Sequence, residues 1–173
     1  MKRIFLLMLL SLPLLWSCSD NDEQPSIMWD ILPLGWQFQV TDADGNDLLN
    51  PETPDAYGSG DIKITCTNLE GDGMETFYVG AYSGGYATRA LLYDELSVYT
   101  GTIYNSDRYG ITIVGYDPTH PWDKIEANIE WPDGSKDYIE VHYTCWSGTS
   151  QFHSTTNIYL NGTEVSEKFT IVK

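Results

Sequence analysis

The sequence predicts an all-β protein, an antiparallel β-sandwich of about eight to nine strands, and three observations predict it. The first is the stretch Asp123–Trp146, which reads as one long hairpin. On one arm Ile125, Ala127, Ile129 and Trp131 alternate with Glu126, Asn128 and Glu130. On the other, Ile139, Val141, Tyr143 and Cys145 alternate with Tyr138, Glu140, His142 and Thr144. Successive side chains point to opposite faces of a strand, so each arm has an apolar and a polar face. Two such arms are not stable alone and require a second layer. The second observation is composition: tyrosine and tryptophan are abundant, and no long stretch keeps a helical period. The third is rhythm, because strand-length alternations recur at short intervals with turn residues between them.

From the N-terminal side, Pro25–Leu34 is a lead-in with Ile27, Met28, Trp29, Ile31 and Leu32 in no clean period. Gly35–Thr41 alternates, with Trp36, Phe38 and Val40 on one face and Gln37 and Gln39 on the other. Asp42–Gly60 is long and aperiodic, and in a compact domain such a connection is functional or folded upon itself. Asp61–Thr67 is a strand with Ile62, Ile64 and Cys66 inward. Asn68–Gly73 is a polar turn and Thr76–Tyr82 a strand. Ser83-Gly84-Gly85 is a tight turn into Tyr86–Tyr93. Leu96, Val98 and Tyr99 suit either a short strand or a single helical turn. Tyr109–Tyr116 is a strand and Asp117–Pro121 a loop that leads into the long hairpin. Pro132-Asp133-Gly134-Ser135 supplies the hairpin turn, with a fixed φ, an Asx acceptor and a residue tolerant of positive φ. Ser147–Ser154 is polar. Thr155–Leu160 and Lys168–Val172 close the chain through Asn161-Gly162, a strong hairpin signal. Residues 27–173 thus read as one domain, immunoglobulin-like in general form.

The N-terminal stretch is of another kind. Lys2 and Arg3 precede the short apolar run Ile4–Leu15, which is too short to span a bilayer comfortably and reads as a signal peptide over residues 1–17. The run ends in Leu15-Trp16-Ser17-Cys18, which resembles the lipobox of bacterial lipoproteins, with Trp16 a departure from the usual small residue. The resemblance implies that Cys18 carries a diacylglycerol and palmitate-type acyl chains, becoming the lipidated N-terminus. Residues 18–26 form a tether, and its run Ser19-Asp20-Asn21-Asp22-Glu23 is similar to the export signal of Bacteroidetes surface lipoproteins. That likeness implies the outer membrane and its cell-surface side, with a periplasmic-facing anchor as the alternative.

With 25 acidic against 9 basic residues, the formal charge is −16. So acidic a chain repels phosphate backbones, which excludes nucleic acid as a partner. Beyond Cys18 the cysteines are Cys66 and Cys145, both on the apolar side of their strands. A disulfide between them and two buried free thiols both fit this placement.

The sequence contains no Gly-x-Ser-x-Gly elbow, no phosphate-cradling loop and no His-Glu-x-x-His site, and a carboxylate pair chosen from so many acids is arbitrary. The expected protein is not an enzyme. Asp42, Asp44 and Asn46 place oxygens on alternate residues, as a calcium loop does. However, Gly45 comes too early in the run, Thr53 stands where a bidentate glutamate belongs, and the motif comes after a strand. An Asp/Asn/Gly turn accounts for it, so no metal or other cofactor is expected.

The aromatics carry the functional expectation. If the strands alternate in direction, Asp42–Gly60, Ser83–Gly85, Asp117–Trp122 and Ser147–Ser154 share one end. That end gathers Tyr82, Tyr86, Tyr116, Trp122 and Trp146 beside Asp44, His120, Gln151 and His153. Flat rings beside amides and carboxylates suit sugars, whose apolar faces stack while their hydroxyls hydrogen-bond. The expectation is a non-catalytic, membrane-anchored binding module with a polysaccharide partner. The alternative is an adhesion or assembly domain that meets an envelope protein through a strand edge.

Overall fold

The computed structural model describes residues 32–82, 95–103, 106–147 and 152–173. The expected signal peptide and tether, Cys18, most of the lead-in, the strand expected at Tyr86–Tyr93 and Gln151 lie outside the described residues. Ten strands and no helix occur among those described. They are β1 (Leu34–Thr41), β2 (Ile62–Thr67), β3 (Met74–Val79), β4 (Ser97–Thr102), β5 (Tyr109–Tyr116), β6 (Trp122–Glu130), β7 (Lys136–Ser147), β8 (Phe152–Leu160), β9 (Thr163–Val165) and β10 (Lys168–Val172).

They form two sheets that face each other, a sandwich-like, all-β arrangement. The four-stranded sheet has the order β10-β1-β5-β4 and the six-stranded sheet β3-β2-β6-β7-β8-β9. Every pairing is antiparallel except β1 with β10. The alternation read from the sequence builds the core directly. Trp36, Phe38 and Val40 of β1 meet Ile62, Ile64 and Cys66 of β2, Ile125, Ala127 and Ile129 of β6, and Ile139 and Val141 of β7, all buried. Each fully buried aliphatic chain contributes about 1.5–3 kcal/mol, so this face holds the layers together.

The long hairpin forms as its sequence predicts. Gly134 N donates to Trp131 O at 2.9 Å, Ser135 N to Asp133 Oδ1 at 2.8 Å, and Gly134 takes φ +82°. Asp42–Gly60 folds upon itself: Tyr57 N donates to Leu48 O at 3.0 Å, and Leu48 and Leu49 are buried.

Of the two alternatives for the stretch around Val98, the strand is the one that forms: β4, paired along its length with β5. Two expectations are corrected. The Asn161-Gly162 turn, with φ of 51° and 80°, joins β8 to the short β9, not to β10. β10 crosses to the other sheet, where its apolar Phe169 stacks on Phe38 at 5.4 Å. Finally, β7 and β8 extend into the polar Ser147–Ser154 stretch.

The extra strand β4 reverses the direction of every later strand. Leu34, Asn68–Gly73 and Asp117–Pro121 occupy one end, the proximal end, together with the paired strand ends Ser147 and Phe152. Asp42–Gly60, Tyr82, Pro132–Ser135, Asn161-Gly162 and Lys173 occupy the distal end. Asp42–Gly60 and Asp117–Trp122, expected at one end, therefore lie at opposite ends.

Candidate functional site

Of the five aromatics expected to form one site, the four that are described do not come together as a group, although Tyr116 and Trp122 touch. Tyr116 is fully buried, stacks on Trp36 at 5.9 Å and donates its hydroxyl proton to Thr67 O at 2.6 Å. Trp122 is buried edge-on to Tyr116 at 5.3 Å, and its indole N–H donates to Asp117 O at 3.0 Å. The cause is a register shift between Trp122 and Ile125: Trp122 pairs with Tyr143 and Ile125 with Val141, so β6 carries one extra residue. Plain alternation from Ile125 turns Trp122 outward; the bulge turns it inward. Tyr82 stacks on Tyr109 at 4.9 Å at the distal end, away from the others. Tyr86 lies outside the described residues. Of the four that are described, only Trp146 is exposed, at 54%.

Trp146 belongs to the outer face of the six-stranded sheet. There it stacks on its cross-strand partner His153, with ring centroids 5.2 Å apart and planes 10° from parallel. Moving distally along β7 and β8, Thr144 pairs with Thr155, His142 with Asn157, and Glu140 with Tyr159. The Tyr159 ring stands edge-on to His142 at 5.6 Å. From Trp146 to Glu140 the strip runs about 20 Å at strand rise.

At its middle lies a polar network. Glu126 of β6 stands directly across from Glu140 of β7, a like-charge pair that is unfavourable by itself. Tyr138 Oη lies 2.5 Å from Glu126 Oε1 and 3.1 Å from Glu140 Oε2. Lys124 holds Glu126 at 2.7 Å and His142 Nε2 holds Glu140 at 2.7 Å. The Lys124 ion pair and the Tyr138 hydroxyl depress the Glu126 carboxyl, and the His142 contact depresses Glu140. Burial, then the two carboxylates, raises the Tyr138 hydroxyl, which stays protonated. A phenol has one proton, so it satisfies one carboxylate at a time and leaves acceptor capacity open.

Beyond Tyr138 the strip enters a groove of about 440 Å³ lined by Lys63, Thr65, Asn128, Lys136, Tyr138 and Asn161. Its walls are set by Lys63 on Glu130 at 2.9 Å and by Lys136 on Glu130 at 3.6 Å. Tyr78, 66% exposed on β3, stands beside it, paired with Lys63. Apart from Trp146 and His153, sequence reasoning missed this strip, because alternating polar residues read as a solvated face. The signal that finds it is the hairpin register, which places Glu126 against Glu140 and Asn128 against Tyr138.

The remaining candidates resolve otherwise. Asp42 Oδ1 accepts from Asp44 N at 2.9 Å and Asn46 N at 2.8 Å, and Asp42 Oδ2 from Asn46 Nδ2 at 2.6 Å, so this carboxylate serves its own turn. Among the described residues no three His, Cys, Asp or Glu side chains converge to hold a metal ion. Cys66 and Cys145 are free thiols. They share the inner face, but the register Cys66–Ala127–Ile139 leaves Cys145 six residues further along β7, about 20 Å away, against the roughly 7 Å limit for a bridge.

The chain matches no protein-family model, no curated protein and no solved structure.

Proposed function

We propose that this chain is a non-catalytic module of the cell envelope that binds glycan along the outer face of its six-stranded sheet. One observation carries the reading. An exposed, stacked Trp146–His153 pair opens a strip that continues through His142, Tyr159 and Tyr138 into a groove whose lining combines amides and hydroxyls with two lysines and two carboxylates. Rings take the apolar faces of sugars, and the open acceptors of Glu126 and Glu140 take hydroxyl protons. Hydrolysis by a carboxylate pair requires one acid held protonated near neutral pH. Both carboxyls here are depressed, which supports binding without turnover.

The lipobox-like Leu15–Cys18 supports an acyl anchor at Cys18 in the outer membrane, on its cell-surface side. In this reading the sandwich is immunoglobulin-like in general form. The test is a titration of the domain with a panel of polysaccharides followed by tryptophan emission. Saturable change with at least one glycan, lost in Trp146→Ala, supports the reading; no response to any glycan rejects it. Metabolic labelling with a palmitate analogue, abolished by Cys18→Ala, tests the anchor.

A further inference from the structure

We propose that the groove in which the Trp146 strip ends selects glycans bearing an isolated carboxylate, one uronic acid among neutral sugars. The inference rests on the glycan reading of that face and names its substrate class. The observation is the charge balance of the groove. Its lining holds two lysines, Lys63 and Lys136, and two carboxylates, Glu130 and Asp137. Asp137 is already neutralised by Lys173, and the two side chains of that pair are nearly buried. Its oxygens also accept from Asn161 Nδ2 and Trp131 Nε1, each at 2.7 Å. Glu130 is thus left alone against two ammonium groups. The groove carries a surplus of one positive charge in a chain whose formal charge is −16.

The surplus falls on Lys136. Lys63 Nζ donates to Glu130 Oε1 at 2.9 Å, an ordinary charge-assisted hydrogen bond. Lys136 Nζ lies 3.6 Å from Glu130 Oε2, beyond hydrogen-bond length, and its side chain is 70% exposed. The Lys136 donors are therefore open to an incoming acceptor. Neutral polar groups stand beside them. Asn128 pairs directly across from Tyr138, and both line the groove with Thr65. A carboxylate takes the lysine while these groups meet the hydroxyls of the sugar that bears it.

The adjoining network limits the ligand to one acid. Glu126 and Glu140 face each other next along the strip, and Lys124 pairs with Glu126. With His142 neutral, these three side chains sum to one negative charge. A carboxylate on the next sugar meets that charge and is repelled, and the acidity of the whole chain opposes a polyanion from further away. A wholly neutral chain leaves the Lys136 donors unused. One acidic sugar at the groove, with neutral sugars running toward Trp146, satisfies both ends.

The test is calorimetric titration of the domain with matched hexasaccharides of glucose, mannose and galactose. Each is supplied neutral, with one terminal sugar as its uronate, and with every sugar as uronate. With at least one backbone, the single-uronate chain is expected to bind about fivefold tighter than its neutral counterpart at low salt. That advantage should vanish in Lys136→Gln and in about 1 M salt, and the all-uronate chain should bind more weakly than the single-uronate one. Lys63→Gln is the second variant and should reduce the advantage. Equal affinity for neutral and single-uronate chains, lost in Trp146→Ala, overturns this inference and leaves the glycan reading standing. An advantage that survives both lysine variants overturns it too, as does tightest binding of the all-uronate chain. Binding of none of these chains also overturns it, and the glycan reading falls with it only if the polysaccharide panel is equally silent.

Discussion

The Tyr116 hydroxyl of β5 donates a 2.6 Å hydrogen bond to the Thr67 carbonyl of β2, joining the two sheets through buried space near the proximal end. Thr67 is itself engaged, its Oγ1 accepting from Glu126 N at 2.9 Å. The joint therefore lies directly behind the polar network of the outer face. Tyr116→Phe keeps the ring and leaves the Thr67 carbonyl without its cross-sheet donor. The expected cost is about 1–2 kcal/mol, read as a fall of about 5 °C in melting temperature.

At the distal end a second joint ties the last residue to the hairpin. The Lys173 ammonium pairs with Asp137, lies 4.4 Å from the centre of the Trp131 ring and donates to Ser135 Oγ at 3.2 Å. Asp137 also accepts from Trp131 Nε1 and Asn161 Nδ2, each at 2.7 Å. The side chains of Lys173 and Asp137 are only 12% and 11% exposed. Removing one member of such a pair leaves the other charge buried, so Asp137→Ala is expected to cost about 3 kcal/mol in chemical denaturation.

The same pair sets a pH dependence. Burial raises the Asp137 carboxyl, but the bonds from Lys173, Asn161 and Trp131 outweigh it, and the folded value lies below the ordinary one. A depressed folded value gives stability that is complete above the unfolded value, about 3.9, and is lost as pH falls through the folded value. Melting temperature measured below about pH 4 should therefore decline, and Asp137→Asn should flatten its share of that slope.

The free cysteines make a chemical prediction. Burial pushes the Cys66 thiol up to about 12 and raises Cys145 as well. Only the thiolate is nucleophilic, so iodoacetamide at about pH 8 should leave Cys66 unmodified in the folded protein and modify half-buried Cys145 slowly. Both should react on unfolding without reductant. A Cys66–Cys145 peptide in a non-reduced digest contradicts the register argument.

Calcium should be without effect. Both oxygens of Asp42 already accept bonds within their own turn, so the melting temperature should be the same in calcium and in chelator.

The parts of the fold written in strict alternation were legible. Ile125 to Trp131 and Ile139 to Tyr143 are buried as their spacing predicts, and Trp146 points outward from Cys145 as the next residue must. The departures from alternation were hidden. The bulge at Asp123 and Lys124 inverts Trp122, and no residue type there announces it. Val98 and Tyr99 carry a strand whose evidence is its pairing with β5, a long-range fact. Asn161-Gly162 sets a turn but not which strand comes after it, and the two-residue gap before Lys168 conceals a crossing between sheets. The polar strip was concealed differently: Glu126, Tyr138 and Glu140 are ordinary surface residues until the register brings them together.

Hydroxyl-radical footprinting of the domain, with and without the polysaccharide that most strongly perturbs its tryptophan emission, tests the central claim most directly. The account predicts that Trp146, His153 and Tyr159 lose reactivity together in the bound state, while buried Tyr116 and Trp122 remain unreactive in both. Saturable binding that leaves Trp146, His153 and Tyr159 as reactive as before would contradict it.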